Sequence, residues 1–271
     1  MYPFNYISAA VDALTSFVMT SPYLVWGPLV AIVVLFFGLM AVFGVQVARN
    51  GMPHHARVAN LGNVVMSQFF LEYFYWLQRP VGPIAIKLRI SPDLLSWSSL
   101  VLQLGAALAI SQNGIALCGW LLFIGAACDS LDGTVARARN MASDAGEVLD
   151  AVIDRWGEMA TCFGFAWLYR DWAPGFVLAV WACAASVMVS YTRAKGETLD
   201  VDARMGVMNR HERAAYLITA TIFSAFLARW RPDWDGEHHV LILLALALIS
   251  GLGTVTAIRR TVFMREELRK R

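Results

Sequence analysis

Long apolar runs broken by short polar, basic stretches set the pattern of this chain. Each run of about 20 largely apolar residues is long enough to cross a bilayer as a helix. Seven such spans are predicted: about Tyr23 to Ala48, Leu94 to Ile110, Ile115 to Arg137, Gly146 to Tyr169, Pro174 to Arg193, His211 to Ala228, and His239 to Ile258. The turn Ser111-Gln112-Asn113-Gly114 separates the second and third spans. Between the first and second, Asn60 to Arg79 carries Phe69, Phe70, Tyr73, Phe74, Tyr75 and Trp76, with Gln68, Glu72 and Gln78 interrupting the run. That mixture predicts an amphipathic helix lying in the membrane interface, where aromatic rings are favoured.

Composition agrees. Of 271 residues, 58% are hydrophobic and only 15% charged, against about 25% charged in a soluble domain. The mean hydropathy is +0.54. The expectation is an all-α integral membrane protein. An N-terminal extension over 1–59 would hold the first span, and a second unit over 60–271 would hold the interfacial helix, six spans and a basic tail. The N-terminus lacks a basic n-region and a cleavage site, so no signal peptide is expected. A net charge of +2 and the lack of a basic strip interleaved with aromatics argue against nucleic acid as a partner.

The basic residues sort by side. Arg49, Arg57, Lys87, Arg89, Arg137, Arg139, Arg193, Lys195, Arg204, Arg210, Arg213 and the tail from Arg259 to Arg271 fall on one side of a seven-span chain. By the positive-inside rule that side is cytoplasmic, which places the N-terminus outside and the C-terminus inside. Cys118, Cys128, Cys162 and Cys183 lie in apolar stretches without a CxxC pair and read as buried free thiols. The adjacent pairs His54-His55 and His238-His239 read as loop residues.

The chemistry concentrates between Cys128 and Asp154, CDSLDGTVARARNMASDAGEVLDAVID. Residues three or four apart share a helix face. Asp129, Asp132 and Ala136 therefore align on the third span, and Gly146, Asp150 and Asp154 on the fourth. A hairpin through about Ala138 to Ala145 is expected to bring the two pairs of carboxylates face to face. Carboxylates in apolar surroundings are costly unless paired or bound to metal. Oxygen-only ligation suits Mg²⁺, Mn²⁺ or Ca²⁺ rather than zinc, and two ions would suit in-line displacement at phosphorus. Gly133 and Ala136 leave room for a ligand, and Arg137 can meet phosphate oxygens bidentately. The plainer alternative is that these acids pair with nearby bases or face water at a helix end. Six positions at this spacing in an apolar chain weigh against it.

The pattern Asp129-x2-Asp132-Gly133-x2-Ala136-Arg137-x8-Gly146-x3-Asp150-x3-Asp154 resembles the motif of the CDP-alcohol phosphotransferase family, with every position filled. The resemblance implies a core of six membrane helices preceded by an interfacial helix, over about Leu61 to Ile258, and a homodimer. The reaction it implies is transfer of a phosphatidyl group from a CDP-linked lipid such as CDP-diacylglycerol to a polar alcohol, with CMP leaving. By the same resemblance Asp129, Asp132 and Asp150 would hold the metals and the donor diphosphate. Asp154 would complete the metal set and act as general base. Gly133, Ala136, Arg137 and Gly146 would line the nucleotide pocket.

Ser91-Pro92-Asp93-Leu94-Leu95-Ser96 stands where the family usually has Pro-Asn-x2-Thr. Asp93 replaces Asn and loses the amide donor, whereas Ser96 keeps a hydroxyl near the donor. Read without the family, this segment is a capped helix start. In a loop expected after the fifth span, Ser190-Tyr191-Thr192-Arg193-Ala194-Lys195 and then Gly206-x3-Arg210-x-Glu212-Arg213 resemble strips of the family members that use inositol phosphate, the phosphatidylinositol-phosphate and archaetidylinositol-phosphate synthases. Arg193, Lys195, Arg210 and Arg213 would then contact a phosphorylated acceptor. The plainer reading is a topology signal, since these residues cap helices that must end in cytoplasm. Glycerol phosphate, serine, ethanolamine and choline are the alternative acceptors. A transporter with an intramembrane carboxylate site is the alternative class, but neither an inverted repeat nor a broken mid-span helix supports it.

Overall fold

The structure is a computed structural model that describes residues 38–52, 72–73, 76–77, 81–203, 205–206, 208–230 and 238–271. Among the described residues there are helices and no strands. Seven helices follow the stretch at 38–50, which is also helical: α1 (Val81–Lys87), α2 (Pro92–Ser111), α3 (Ile115–Ala138), α4 (Asp144–Leu168), α5 (Ala173–Thr198), α6 (Arg210–Trp230) and α7 (Val240–Lys270).

The ends of these helices follow local chemistry. Ser91 accepts a hydrogen bond from the Leu94 N–H at 3.2 Å, and Pro92 opens α2, where a missing N–H costs nothing. Ser143 caps α4 in the same way through the Gly146 N–H at 3.2 Å. Glu212 reaches back to the Asn209 N–H at 2.8 Å, one half of a capping box at the start of α6. Asn113, Asn140 and Asp200 take left-handed φ of 61°, 54° and 51° after α2, α3 and α5. Their short polar side chains tolerate that conformation better than most residues.

Six long helices close into a ring in the order α2–α3–α6–α7–α5–α4, each packed on the next and α4 back on α2, while α1 rests on α3. The expected connection of the third and fourth spans is present, but the two helices pack chiefly on a third. α3 and α4 are joined by a short loop, yet each leans on α2 rather than on the other. Small residues permit this lean. A Cβ on Gly164 of α4 would lie 2.7 Å from the Ala107 carbonyl oxygen of α2, so only glycine allows the two backbones so close.

The ring is divided along its length. At one end Ile110, Cys118, Phe165, Ala182, Leu246 and Ile249 form an apolar core. At the other end lie Asp132, Asp154, Glu212, Arg213 and Arg260, all buried. The outer surface carries exposed Val101, Leu108, Phe163, Trp181 and Leu244, the apolar exterior expected of a protein in lipid.

Four of the helices, α2, α3, α5 and α7, are long and apolar enough to cross a membrane, which makes this a multi-pass membrane protein. α4 and α6 fill the other two expected spans as helices, but their site-proximal halves carry the charges from Asp144 to Glu158 and from Arg210 to Arg213. Two expected boundaries shift. α5 runs to Thr198, so Arg193 and Lys195 are helical rather than in a loop. α7 runs through the basic tail to Lys270, because its last twelve residues are mostly good helix formers with no Gly or Pro to stop them.

At the far end of α7, Arg271 donates to the carbonyls of Leu199 and Asp200 at 3.0 and 2.7 Å. Met264 packs with Val201 and Ala203 just before it. Most of the first expected span and of the interfacial helix lies outside the described residues. Where they are described, Phe43 packs on Tyr73 and Trp76, with ring centroids 5.7 and 5.5 Å apart.

Candidate active site: a carboxylate cluster closed by two arginines

α3 and α4 present their acids to the same space at the polar end of the ring. Carboxylate oxygens of Asp129, Asp132 and Asp150 lie within 4.8 Å of one another. Asp132 is 6% exposed and Asp154 5%. Acids this close and this buried repel unless a cation stands among them. An all-oxygen set suits a hard divalent ion. The residues therefore fit the metal expected from the sequence, and three of the four expected ligands form one cluster.

Asp132 is oriented by its neighbours. The Ser96 hydroxyl of α2 donates to it at 2.7 Å, and the Gly133 N–H donates to its other oxygen. Ser96, expected near the donor, thus stands directly behind a candidate metal ligand. Gly146 sits in the first turn of α4, where a Cβ would meet only the Ser143 hydroxyl at 3.4 Å. Ala136 is half-buried and Arg137 exposed at the end of α3.

Arg210 enters the cluster from α6. It donates to both oxygens of Asp129, at 2.9 and 3.1 Å, and meets Asp154 as an ion pair. Asp154 Oδ1 gains charge neutralisation there without hydrogen-bond geometry.

Arg213 lies deeper. Its guanidinium holds Glu158 of α4 through bonds of 2.6 and 3.1 Å, and it also reaches the Met208 carbonyl and Ser190. Arg155 joins the same network through Glu158 at 3.1 Å and through Ser190. Arg193 and Lys195 are exposed on α5, and Arg193 pairs with Glu197 at 3.1 Å.

The four expected acceptor residues therefore separate: two exposed, one on the acids, and one buried. Arg213 stands in the interior, its side chain 2% exposed and bonded to Glu158, where it joins α6 to α4.

Arg260 is the residue that sequence reasoning missed. It is 1% exposed and donates to the carbonyls of Met205 and Val189, both at 2.7 Å, and more weakly to Asn209. It ties the strip before α6 to α5 and α7. Gly206 in that strip has φ of 127°, and a Cβ there would run into Thr256. The only sequence sign of Arg260 was a charge at the end of an apolar run, which topology already explained.

The profile of the CDP-alcohol phosphatidyltransferase family matches residues 89–256. The chain belongs to this family. Its place there is supported by a phosphatidylinositol phosphate synthase of Cutibacterium acnes, 30% identical over 205 residues that span 72% of this chain and 97% of the relative. An archaetidylinositol phosphate synthase of Methanothermobacter thermautotrophicus is 23% identical over 193 residues, 71% of this chain and 92% of that protein.

The fold of this CDP-alcohol phosphatidyltransferase is that of the phosphatidylinositol phosphate synthase of Mycobacterium tuberculosis. Against its crystal structure with CDP-DAG bound, the TM-score is 0.59 at 21% identity, covering 68% of this chain and 92% of that one. Against its complex with manganese and citrate the TM-score is 0.60, covering 68% and 87%. This chain is thus a membrane transferase whose fold a metal-bound relative shares.

Proposed function

We propose that this protein transfers the phosphatidyl group of CDP-diacylglycerol to a hydroxyl of inositol phosphate and releases CMP. The observation that carries the reading is the convergence of Asp129, Asp132 and Asp150 within 4.8 Å at one end of an otherwise apolar helix ring, in a complete family motif. The phosphatidylinositol phosphate synthases among its relatives support the acceptor.

In this reading Asp129, Asp132, Asp150 and Asp154 would hold two Mg²⁺ or Mn²⁺ ions, which when bound neutralise the diphosphate and the charge on departing CMP. Gly133, Ala136, Arg137 and Gly146 border the nucleotide, and Ser96 steadies Asp132 for it. The acceptor oxygen attacks the phosphatidyl phosphorus as the bond from that phosphorus to the CMP oxygen breaks. Asp154 accepts the acceptor's proton. Arg193, Lys195 and Arg210 draw the acceptor phosphate, and Arg213 holds the strip that presents Arg210.

We place the site on the cytoplasmic face, with the N-terminus outside, on the strength of the basic loops. The catalytic unit would be 60–271, the segment 1–59 an addition, and the assembly a homodimer as the family resemblance implies.

The test is CMP release by the purified protein with CDP-diacylglycerol and Mg²⁺ over a panel of inositol phosphate, inositol, glycerol phosphate, serine, ethanolamine and choline. Release with inositol phosphate, lost in Asp154→Asn, is expected. Release with a different acceptor would overturn the choice of acceptor. No release with any would overturn the reaction.

A further inference from the structure

Arg210 already stands where a cation is needed. Its planar fork takes both oxygens of Asp129 on α3 and touches Asp154 on α4, two helices that do not otherwise lean on each other. The Arg210 side chain is 24% exposed, and those of Asp129 and Asp154 are 12% and 7% exposed. Arg210 thus reaches solvent more than either acid it meets.

The backbone beneath it is held. Glu212 caps Asn209, Arg213 is locked on Glu158, and Arg260 reaches Asn209 and Met205. Movement of Arg210 is thereby confined to its own rotamers.

We propose that Arg210 is a built-in counterion of the carboxylate site, and that a divalent cation binding at Asp129 and Asp154 displaces it. This rests on the reading of the aspartates as a metal site. A bidentate guanidinium occupies the lone pairs that an ion would use, and a +1 and a +2 charge on the same two acids repel. Displacement turns the fork outward with its donors free. Arg210 thus offsets part of the facing negative charge when no ion is bound, and becomes able to receive an anionic acceptor once an ion arrives. Metal loading and acceptor capture are coupled through one side chain.

The competition is read directly by Mn²⁺ titration. Free Mn²⁺ is followed by electron paramagnetic resonance against the full chain in detergent, for wild type, Arg210→Gln and Arg210→Lys. Thermal unfolding is recorded for each in EDTA and in Mn²⁺. Arg210→Gln is expected to bind Mn²⁺ at least about tenfold more tightly at one site, since a competing cation is gone. It is expected to unfold at lower temperature than wild type in EDTA and to gain more from Mn²⁺. Arg210→Lys, which keeps charge without the fork, should fall between. Recovery of folded Arg210→Gln only in the presence of Mn²⁺ would support the same conclusion. Unchanged or weaker Mn²⁺ affinity in Arg210→Gln, with wild type binding Mn²⁺ normally, would overturn the inference and leave the metal site standing. Absence of Mn²⁺ binding in every form would overturn the metal site and the inference together.

Discussion

Arg213 of α6 is locked onto Glu158 of α4, with Nε 2.6 Å from one carboxylate oxygen and Nη2 3.1 Å from the other. The pair crosses the ring interior and draws in Ser190 of α5. Three helices thus meet on one buried ion pair, and each guanidinium nitrogen has a partner within the protein.

Glu158→Gln would leave that guanidinium buried beside a neutral amide. Breaking a buried pair from one side costs about 3–5 kcal/mol. The expected result is a clear drop in the unfolding midpoint in detergent, with donor and acceptor KM rising together. A selective rise in acceptor KM at an unchanged midpoint would show that Arg213 reaches the acceptor.

Lys195 and Arg193 should behave in the opposite way. Both are exposed, and exposed ion pairs such as Arg193 with Glu197 add little stability. Lys195→Ala and Arg193→Ala are expected to leave unfolding unchanged and to raise the acceptor KM by roughly tenfold or more, the value of a charge-assisted hydrogen bond. Equal effects on the donor KM would assign them to general electrostatics.

Asp154→Asn and Asp150→Asn keep shape and lose charge. Turnover is expected to fall by about 10²–10⁴ or more for Asp154→Asn, the range of a lost general base, while the protein elutes as a folded species. Asp150→Asn should in addition weaken Mn²⁺ binding. Substantial CMP release by either variant would refute the proposed mechanism.

Two glycines of α4 separate packing from ligand approach. In Gly164→Ala the new methyl would lie 2.7 Å from the Ala107 oxygen and 2.8 Å from its Cα. Backbone cannot yield as a side chain does, so a loss of about 1–3 kcal/mol is expected. In Gly146→Ala the methyl meets only the Ser143 hydroxyl at 3.4 Å. Stability should hold, and the loss should appear in donor KM. Normal donor kinetics in Gly146→Ala would remove that residue from the nucleotide pocket.

What was legible in the sequence was local. Ser91-Pro92 announced a helix start because capping is settled within four residues. The aspartates announced a shared face because i, i+3 and i, i+4 spacing is a property of one helix.

What was not legible depends on other helices. That α3 and α4 each lean on α2 is decided partly by glycines meeting backbone across a gap. That Arg213 and Arg260 are buried depends on Glu158 and on the carbonyls of Val189 and Met205, all distant in sequence. The basic strip looked uniform in one dimension. Its members were sorted by which partner each one met.

The reach of α7 matters for anyone handling the protein. Arg271 grips the carbonyls of Leu199 and Asp200, the turn that leads into the strip carrying Arg210. Arg271→Ala would release that turn. A kinetic change in that variant would report on the strip that carries Arg210 rather than on chemistry at Arg271.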